Sequence, residues 1–213
     1  MKQSFLELAT KGVQQLTPYQ PGKPVEELER ELGISDSIKL ASNENPLGPS
    51  SLAVEAITNI SSSINYYPDG GGFVLINKLA KKHLLDVSNI TLGNGSNDIL
   101  ELVTRAFLTP MHSAVFSEYS FAVYPLVVQA VGAKAKVAKA FPESHETMPL
   151  GHDSDALLSQ IDESTRIIFI ANPNNPTGTW LSPATLEDLF SKIRQNVIIV
   201  LDLAYTEIGR AHV

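Results

Sequence analysis

The spacing of apolar residues divides most of this chain into two kinds of segment. From about residue 51 onward, stretches in which apolar residues recur every three or four positions alternate with short continuous apolar runs. The first spacing is typical of amphipathic helices and the second of buried strands. We predict helices over 52–60, 73–85, 97–107, 121–131 and 183–194. We predict strands over 90–92, 114–116, 133–138, 167–171 and 197–201.

This alternation predicts an α/β fold, a three-layer sandwich in which helices cover both faces of a mostly parallel sheet. The run 197–201 is five consecutive apolar residues, which is typical of a strand covered on both faces. Before it, Ser182 and Pro183 have the chemistry of an N-cap and of a first helical residue, so they mark the start of a helix.

The first 50 residues follow a different pattern, because prolines and glycines interrupt them repeatedly. One helix fits at 25–32, where Gly33 supplies the stop signal. We therefore predict three parts. They are an N-terminal arm over 1–50, an incomplete large α/β domain over 51–207, and a non-native tail over 208–213 that resembles a translated sequencing adapter.

Composition excludes several functional classes. The net charge is -7 and the 16 Lys and Arg are scattered, which argues against nucleic-acid binding. The chain has no Cys, so thiolate metal sites and disulfides are excluded, and we expect no metal site. No apolar run reaches the roughly 18 residues of a membrane span, and the N-terminus lacks a signal-peptide core. We expect a cytoplasmic protein with no membrane or nucleic-acid partner.

The segment 92–98 carries a candidate phosphate site between a predicted strand and a helix. Gly93 and Gly95 allow a tight turn, and Ser96 and Asn97 fall at the helix N-terminus, where free N–H groups attract anions. A dinucleotide fingerprint is excluded because its third glycine is absent. The same residues would serve equally well as a capped turn without a ligand, and the motif alone does not decide between the two.

Polar residues follow two of the predicted strands and suggest a common ligand. The run NPNNPTG (172–178) follows strand 167–171, and Asp202 follows the apolar run 197–201. Ligands of open α/β sheets lie beyond the carboxyl ends of the strands, so Asn175, Asp202 and Tyr205 could converge there. An amide, a carboxylate and a phenol suit a ring with a nitrogen and a hydroxyl, such as pyridoxal phosphate. Each motif alone could instead be a turn or a cap.

Several blocks together resemble the fold-type I pyridoxal-phosphate aminotransferases, and most of all the histidinol-phosphate aminotransferases among them. They occur in the order of that family and span nearly the whole chain up to about residue 207. The blocks are TPYQPGKP (17–24), KLASNENPLGPS (39–50), YPD (67–69), LGNGSND (92–98), YSFAVY (119–124), NPNNPTG (172–178) and LDLAYTE (201–207).

The resemblance implies roles for residues around the cofactor. The catalytic residues would be Asp202, at the ring nitrogen, with Asn175 and Tyr205 at the ring hydroxyl. The remaining cofactor contacts would be the phosphate ligands Ser96 and Asn97, the stacking residue Phe121, and Tyr67, which would reach in from the partner subunit of a homodimer. The substrate site would be lined by Tyr19, Asn43, Glu44 and Asn45. The resemblance thus implies a small-domain and substrate-loop segment within 1–50 and a partial pyridoxal-phosphate-binding large domain over 51–207.

The resemblance also implies a reaction, in which histidinol phosphate and 2-oxoglutarate give imidazole-acetol phosphate and glutamate. Two alternatives on the same scaffold are an aminotransferase for aromatic or other amino acids and a pyridoxal-phosphate-dependent decarboxylase that acts on a phosphorylated amino acid. An alternative of another class is a non-catalytic phosphate-binding domain.

Two departures from the family pattern stand out. Leu203 occupies a position where many relatives have Glu. The Schiff-base lysine of the family lies in a Ser-Lys segment beyond the Asp-x-x-Tyr strand, and no lysine of this chain lies in such a segment. We therefore expect a C-terminally truncated chain that is inactive by itself.

Overall fold

The fold was determined as a computed structural model that describes residues 5–19 and 22–209. The described residues form two compact units. One unit is built from parts of 1–17 and 92–213, and the other from 18–91. This division does not test the domain boundaries predicted at residues 50 and 207, which stay predictions. Most of the predicted tail, 208–213, lies outside the described residues.

The unit over 18–91 is helical in its described part. Its helices, which follow α1 (Phe5–Leu8) and α2 (Lys11–Gln14) along the chain, are α3 (Val25–Leu32), α4 (Ser51–Ile60) and α5 (Phe73–His83). The predicted stop signal of α3 is confirmed, because Gly33 takes a left-handed conformation with φ 66°. Helix α5 ends two residues before the predicted position, where Leu84 also turns left-handed.

The other unit is built on a four-stranded parallel sheet. Helices α1 and α2 belong to this unit. Its other elements, in chain order, are α6 (Ser96–Phe107), β1 (Ser113–Ser117), α7 (Val123–Ala130), β2 (Lys134–Ala138), α8 (Ser154–Ser159), β3 (Thr165–Ala171), α9 (Pro183–Lys192), β4 (Ile198–Asp202) and α10 (Thr206–Gly209). The strand order is β2-β1-β3-β4, and all neighbouring strands are parallel, which confirms the predicted sheet.

Side chains alternate between the two faces of this sheet, as strand geometry requires. On one face Phe116 and Phe169 pack with Leu100 of α6 and Tyr124 of α7. On the other face Val115, Ile168 and Ile170 pack with Leu157 of α8 and Leu189 of α9. The predicted three layers are therefore present, with a buried core on each side of the sheet.

The sequence did not predict the short helices α1, α2 and α10, and two further differences have a local cause. The strand predicted over 90–92 is wrong, because those residues pair with no neighbour and follow a 3₁₀ turn at Val87–Asn89. The carboxylate of Asp86 fixes this turn by accepting the Ser88 N–H at 2.8 Å. Helix α8 was not predicted, since six residues are too few to show a helical period. Its cap is Asp153, whose side chain accepts the N–H groups of Asp155 and Ala156.

None of the helices described here has the length and apolar character needed to cross a membrane.

Candidate active site

A cleft opens at the carboxyl ends of the strands, where the chain order of the sheet changes direction. After β1 the chain passes through α7 to β2 on one side, whereas β3 lies on the other side of β1. Such switch points are where open α/β sheets bind ligands. The cleft is lined by Ser96, Phe121, Ala171, Pro173, Asn175, Asp202, Ala204 and Tyr205. The structure thus brings together five of the predicted site residues.

The carboxylate of Asp202 is held at both of its oxygens. Asp202 is the last residue of β4 and is half-buried. Its Oδ2 accepts the hydroxyl of Tyr124 at 2.9 Å, and its Oδ1 accepts the backbone N–H of Ala204 at 3.1 Å. Its backbone carbonyl accepts the N–H of Asn172 at 2.9 Å. This residue therefore has a fixed place and a fixed orientation at the edge of the cleft.

Tyr124 is fully buried on α7 below the cleft. Its ring stacks on Phe169 at 4.9 Å between centroids, and meets Phe121 edge-on at 5.9 Å. Burial, followed by the charge of Asp202 and the hydrogen bond to it, raises the pKa of the Tyr124 hydroxyl far above its usual value. The hydroxyl therefore stays protonated and acts as a permanent donor. The sequence analysis includes Tyr124 only as the last residue of the block YSFAVY (119–124), and its hydrogen bond to Asp202 was not predicted.

Two asparagines of the NPNNPTG loop hold the loop in place. The side chain of Asn172 donates to the Leu181 carbonyl at 3.0 Å and accepts the Leu181 N–H at 2.8 Å. The amide of Asn174 donates to the Tyr119 carbonyl at 2.7 Å, which ties this loop to the one that follows β1. Both are buried, whereas Asn175 is half-buried and lines the cleft. The motif identified Asn175, but the structural roles of the other two were not predicted.

The candidate phosphate site predicted over 92–98 lies at the N-terminus of α6. Gly95 has φ 77° and ψ -178°, a conformation open essentially to glycine alone. At Gly93 an added Cβ would lie 2.8 Å from Cβ of Asp98, so the loop approaches the helix too closely for any side chain. Ser96, the first residue of the helix, lines the cleft. Asn97 is exposed and is not among the residues that line it.

A buried histidine lies directly behind the cleft. His152 is 3% exposed, and its Nε2 lies 3.0 Å from the carbonyl oxygen of Ala171, which lines the cleft. Because a carbonyl can only accept, this nitrogen carries the proton. Burial lowers the pKa of His152, and the hydrogen bond to Ala171 opposes that effect more weakly. The neutral imidazole therefore supports the end of β3.

The remaining predicted site residues belong to the unit over 18–91. Tyr67 is fully exposed and Tyr19 is 55% exposed. Residues 43–45 form an exposed loop, in which Glu44 pairs with Lys39 at 2.6 Å and the Asn45 side chain accepts the Leu47 N–H. Their assignment to a substrate site, and that of Tyr67 to the partner subunit of a homodimer, stay predictions.

Known proteins resemble this chain along nearly its whole length. Histidinol-phosphate aminotransferase 2 of Pseudomonas fluorescens is 53% identical over 209 residues, which are 97% of this chain and 55% of that protein. The protein of that name from Pseudomonas aeruginosa is 54% identical over 205 residues, 95% of this chain and 54% of that protein. The chain thus spans about half the length of these relatives.

Solved structures share the fold. Histidinol-phosphate aminotransferase from Sinorhizobium meliloti, in complex with pyridoxal-5'-phosphate, superposes with a TM-score of 0.80 at 23% identity, over 93% of this chain and 51% of that one. A mutant aspartate aminotransferase of Thermus thermophilus gives 0.74 at 20% identity, over 90% and 52%. The expected fold-type I architecture is confirmed.

The family assignment rests on a match that covers most of the chain. The model of the family "Aminotransferase class I and II" matches residues 35–212, a span that includes every residue lining the cleft. The resemblance inferred from the sequence blocks is confirmed, and this chain belongs to the class I and II aminotransferase family.

Proposed function

We propose that the protein containing this chain is a pyridoxal-phosphate-dependent aminotransferase that converts histidinol phosphate and 2-oxoglutarate into imidazole-acetol phosphate and glutamate. The relatives at about half identity that carry this enzyme's name support the substrate. The observation that carries the chemistry is the oriented carboxylate of Asp202, which lines the same cleft as Phe121, Asn175 and Tyr205.

The donor set of the cleft fits the functional groups of pyridoxal phosphate one by one. A carboxylate suits the ring nitrogen, an amide and a phenol suit the ring hydroxyl, and an aromatic side chain suits the ring face. The N-terminus of α6 with Ser96 suits the phosphate, because its N–H groups and its dipole favour negative charge. Among the described residues there is no group of three His, Cys, Asp or Glu side chains placed to hold a metal ion.

Bound pyridoxal phosphate supplies an electron sink for the carbon that bears the substrate's amino group. Asp202 would hold the proton on the ring nitrogen, since a carboxylate accepts an N⁺–H strongly in a half-buried site. Asn175 and Tyr205 would hydrogen-bond the ring hydroxyl oxygen, and Phe121 would cover one ring face and exclude water from it. Ser96 would anchor the phosphate. The lysine that the family pattern places in a Ser-Lys segment is expected beyond Tyr205 in the complete gene product, where it would move the substrate's proton.

The cofactor is tested by incubating the complete gene product with pyridoxal phosphate, removing the excess, and recording the visible spectrum. We expect a yellow protein with a retained cofactor band. A product that stays colourless would contradict the proposed cofactor.

The substrate is tested separately, by comparing kcat/KM for histidinol phosphate with the values for tyrosine and phenylalanine, each with 2-oxoglutarate as the acceptor. We expect histidinol phosphate to be preferred, and glutamate to form without release of carbon dioxide. A preference for the aromatic amino acids, or carbon dioxide release, would leave the cofactor in place but replace the proposed reaction.

A further inference from the structure

The arrangement around Asp202 assigns a task to a residue that has none in the proposed reaction. We infer that Tyr124 is a positioning residue, which fixes the direction in which Asp202 presents its carboxylate and couples it to the stacking ring of Phe121. The inference rests on the proposed cofactor site and adds to it a buried element that never touches the cofactor.

The first argument is that both oxygens of the Asp202 carboxylate already accept a hydrogen bond. An ionised carboxylate has about four lone-pair directions. The Tyr124 hydroxyl takes one on Oδ2 at 2.9 Å, and the Ala204 N–H takes one on Oδ1 at 3.1 Å. With one donor on each oxygen, rotation of the carboxylate would break both hydrogen bonds. The remaining lone pairs are therefore held in fixed directions at the edge of the cleft.

The second argument is the rigidity of the donor. Tyr124 has no exposed surface, stacks on Phe169 with an angle of 12° between the rings, and meets the ring of Phe121 at 85°. Its backbone N–H also donates to the Phe121 carbonyl at 3.1 Å. One side chain thus contacts both the residue proposed to face the ring nitrogen and the residue proposed to cover the ring. Displacement of Tyr124 would disturb both contacts.

The third argument is the choice of a phenol. A lysine or arginine in this position would neutralise the charge of Asp202 and weaken its attraction for a protonated ring nitrogen. A neutral hydroxyl orients the carboxylate and leaves its full charge available. The environment of Tyr124 keeps the hydroxyl neutral, because burial and the adjacent carboxylate both oppose its ionisation.

The variant Tyr124→Phe tests the inference, because it removes the hydroxyl and keeps the stacked ring. In the complete gene product we expect about tenfold weaker binding of pyridoxal phosphate, measured by equilibrium dialysis, since a hydrogen bond to a charged group is lost. Tyr66→Phe, which removes the hydroxyl of a tyrosine that is 74% exposed, should bind the cofactor as the wild type does.

A double-mutant cycle separates positioning from general stability. If Tyr124 acts through Asp202, Tyr124→Phe should weaken cofactor binding in the wild type but cause no further loss in Asp202→Asn. Additive losses would indicate a purely structural role and would overturn the inference.

The outcomes distinguish this inference from the proposed function. A wild type that binds no pyridoxal phosphate overturns both. A wild type that binds it, together with a Tyr124→Phe variant of equal affinity, overturns the positioning role alone and leaves the proposed cofactor standing.

Discussion

Asp202 is the residue on which the proposed chemistry depends most directly. Asp202→Asn keeps the size of the side chain and removes its charge, so the ring nitrogen would lose its proton more readily. A hydrogen bond to a charged group contributes about 1.5–3 kcal/mol. At about 1.4 kcal/mol per decade of rate, we expect kcat of the complete gene product to fall at least tenfold.

The matched control for this variant is Asp155→Asn, which changes an exposed carboxylate on α8 outside the cleft. Its kcat should equal that of the wild type. If Asp202→Asn also kept the wild-type kcat, the assignment of Asp202 to the ring nitrogen would be wrong.

His152 should make the protein sensitive to mild acid. Because burial lowers its folded-state pKa below the ordinary value of 6.5, the unfolded chain takes up the proton first as the pH falls. Above about pH 6.5 the imidazole is neutral in both states. Below it, the free energy of unfolding falls by up to about 1.4 kcal/mol per pH unit, until the folded-state pKa is reached.

Urea unfolding of the complete gene product at pH 7 and pH 5 measures this effect. In His152→Gln, whose amide can still donate to Ala171 but does not titrate, the loss of stability between the two pH values should be smaller. His83→Gln, at an exposed position on α5, should lose as much as the wild type. Equal losses in all three proteins would show that His152 does not titrate on unfolding.

At the level of single residues, the sequence identified the side chains that face the cleft and missed those that hold them. Asn175, Asp202 and Tyr205 could be found because they follow apolar runs, and strand ends of a parallel sheet meet at one edge. The bond from Tyr124 to Asp202 joins residues 78 positions apart, and that from Asn174 to Tyr119 spans 55. Such pairs depend on the order and register of the strands, which periodicity does not contain.

The turn before α6 leads to a prediction about the phosphate site. Gly95→Ala would force an alanine into a region open essentially to glycine, at a cost of about 1–3 kcal/mol, although its Cβ would meet no atom within 4 Å. The first turn of α6 should therefore shift. We expect weaker binding of pyridoxal phosphate, measured by equilibrium dialysis, in addition to reduced thermal stability.

Gly132→Ala is the control, because Gly132 has nearly the same φ, 74°, but lies before β2, at the opposite ends of the strands from the cleft. It should also lose stability and should keep the wild-type cofactor affinity. Equal affinity losses in both variants would point to a general effect of destabilisation rather than to a phosphate site at α6.

Among whole elements, those with many apolar positions were predicted best. Strands β1, β3 and β4 appear within two residues of the predicted bounds because each contains a continuous apolar run. The three apolar positions over 90–92 resemble such a run, but a strand also needs a neighbour to pair with. Helix α8 escaped prediction because its capping aspartate, and not its apolar spacing, defines where it begins.

At the level of the molecule, the two edges of the sheet differ in their protection. Edge strand β2 carries Lys134 and Lys136, and charged side chains on an edge discourage pairing with other chains. Edge strand β4 has the sequence IIVLD, which contains no lysine or arginine. No described strand pairs with its outer side. We expect residues 1–213, expressed alone, to be insoluble or molten and to associate through β4.

Sedimentation and size-exclusion chromatography of the 1–213 chain test this expectation. Hydrogen exchange of the aggregate should show stronger protection of the amides over 198–202 than of those over 134–138. A soluble monomer of 1–213 that melts cooperatively would contradict the expected association through β4.

The cleft also determines when the protein can acquire its proposed cofactor. Its lining residues come from α6 through to Tyr205, and β4, the last strand of the described sheet, supplies Asp202. Chains fold from the N-terminus as they leave the ribosome, so the ring-nitrogen contact would be completed only when β4 has joined β3. A ligand L that binds only the folded state, with dissociation constant Kd, raises the free energy of unfolding by RT ln(1 + [L]/Kd). The cellular supply of pyridoxal phosphate would therefore influence how many newly made chains keep β4 in place.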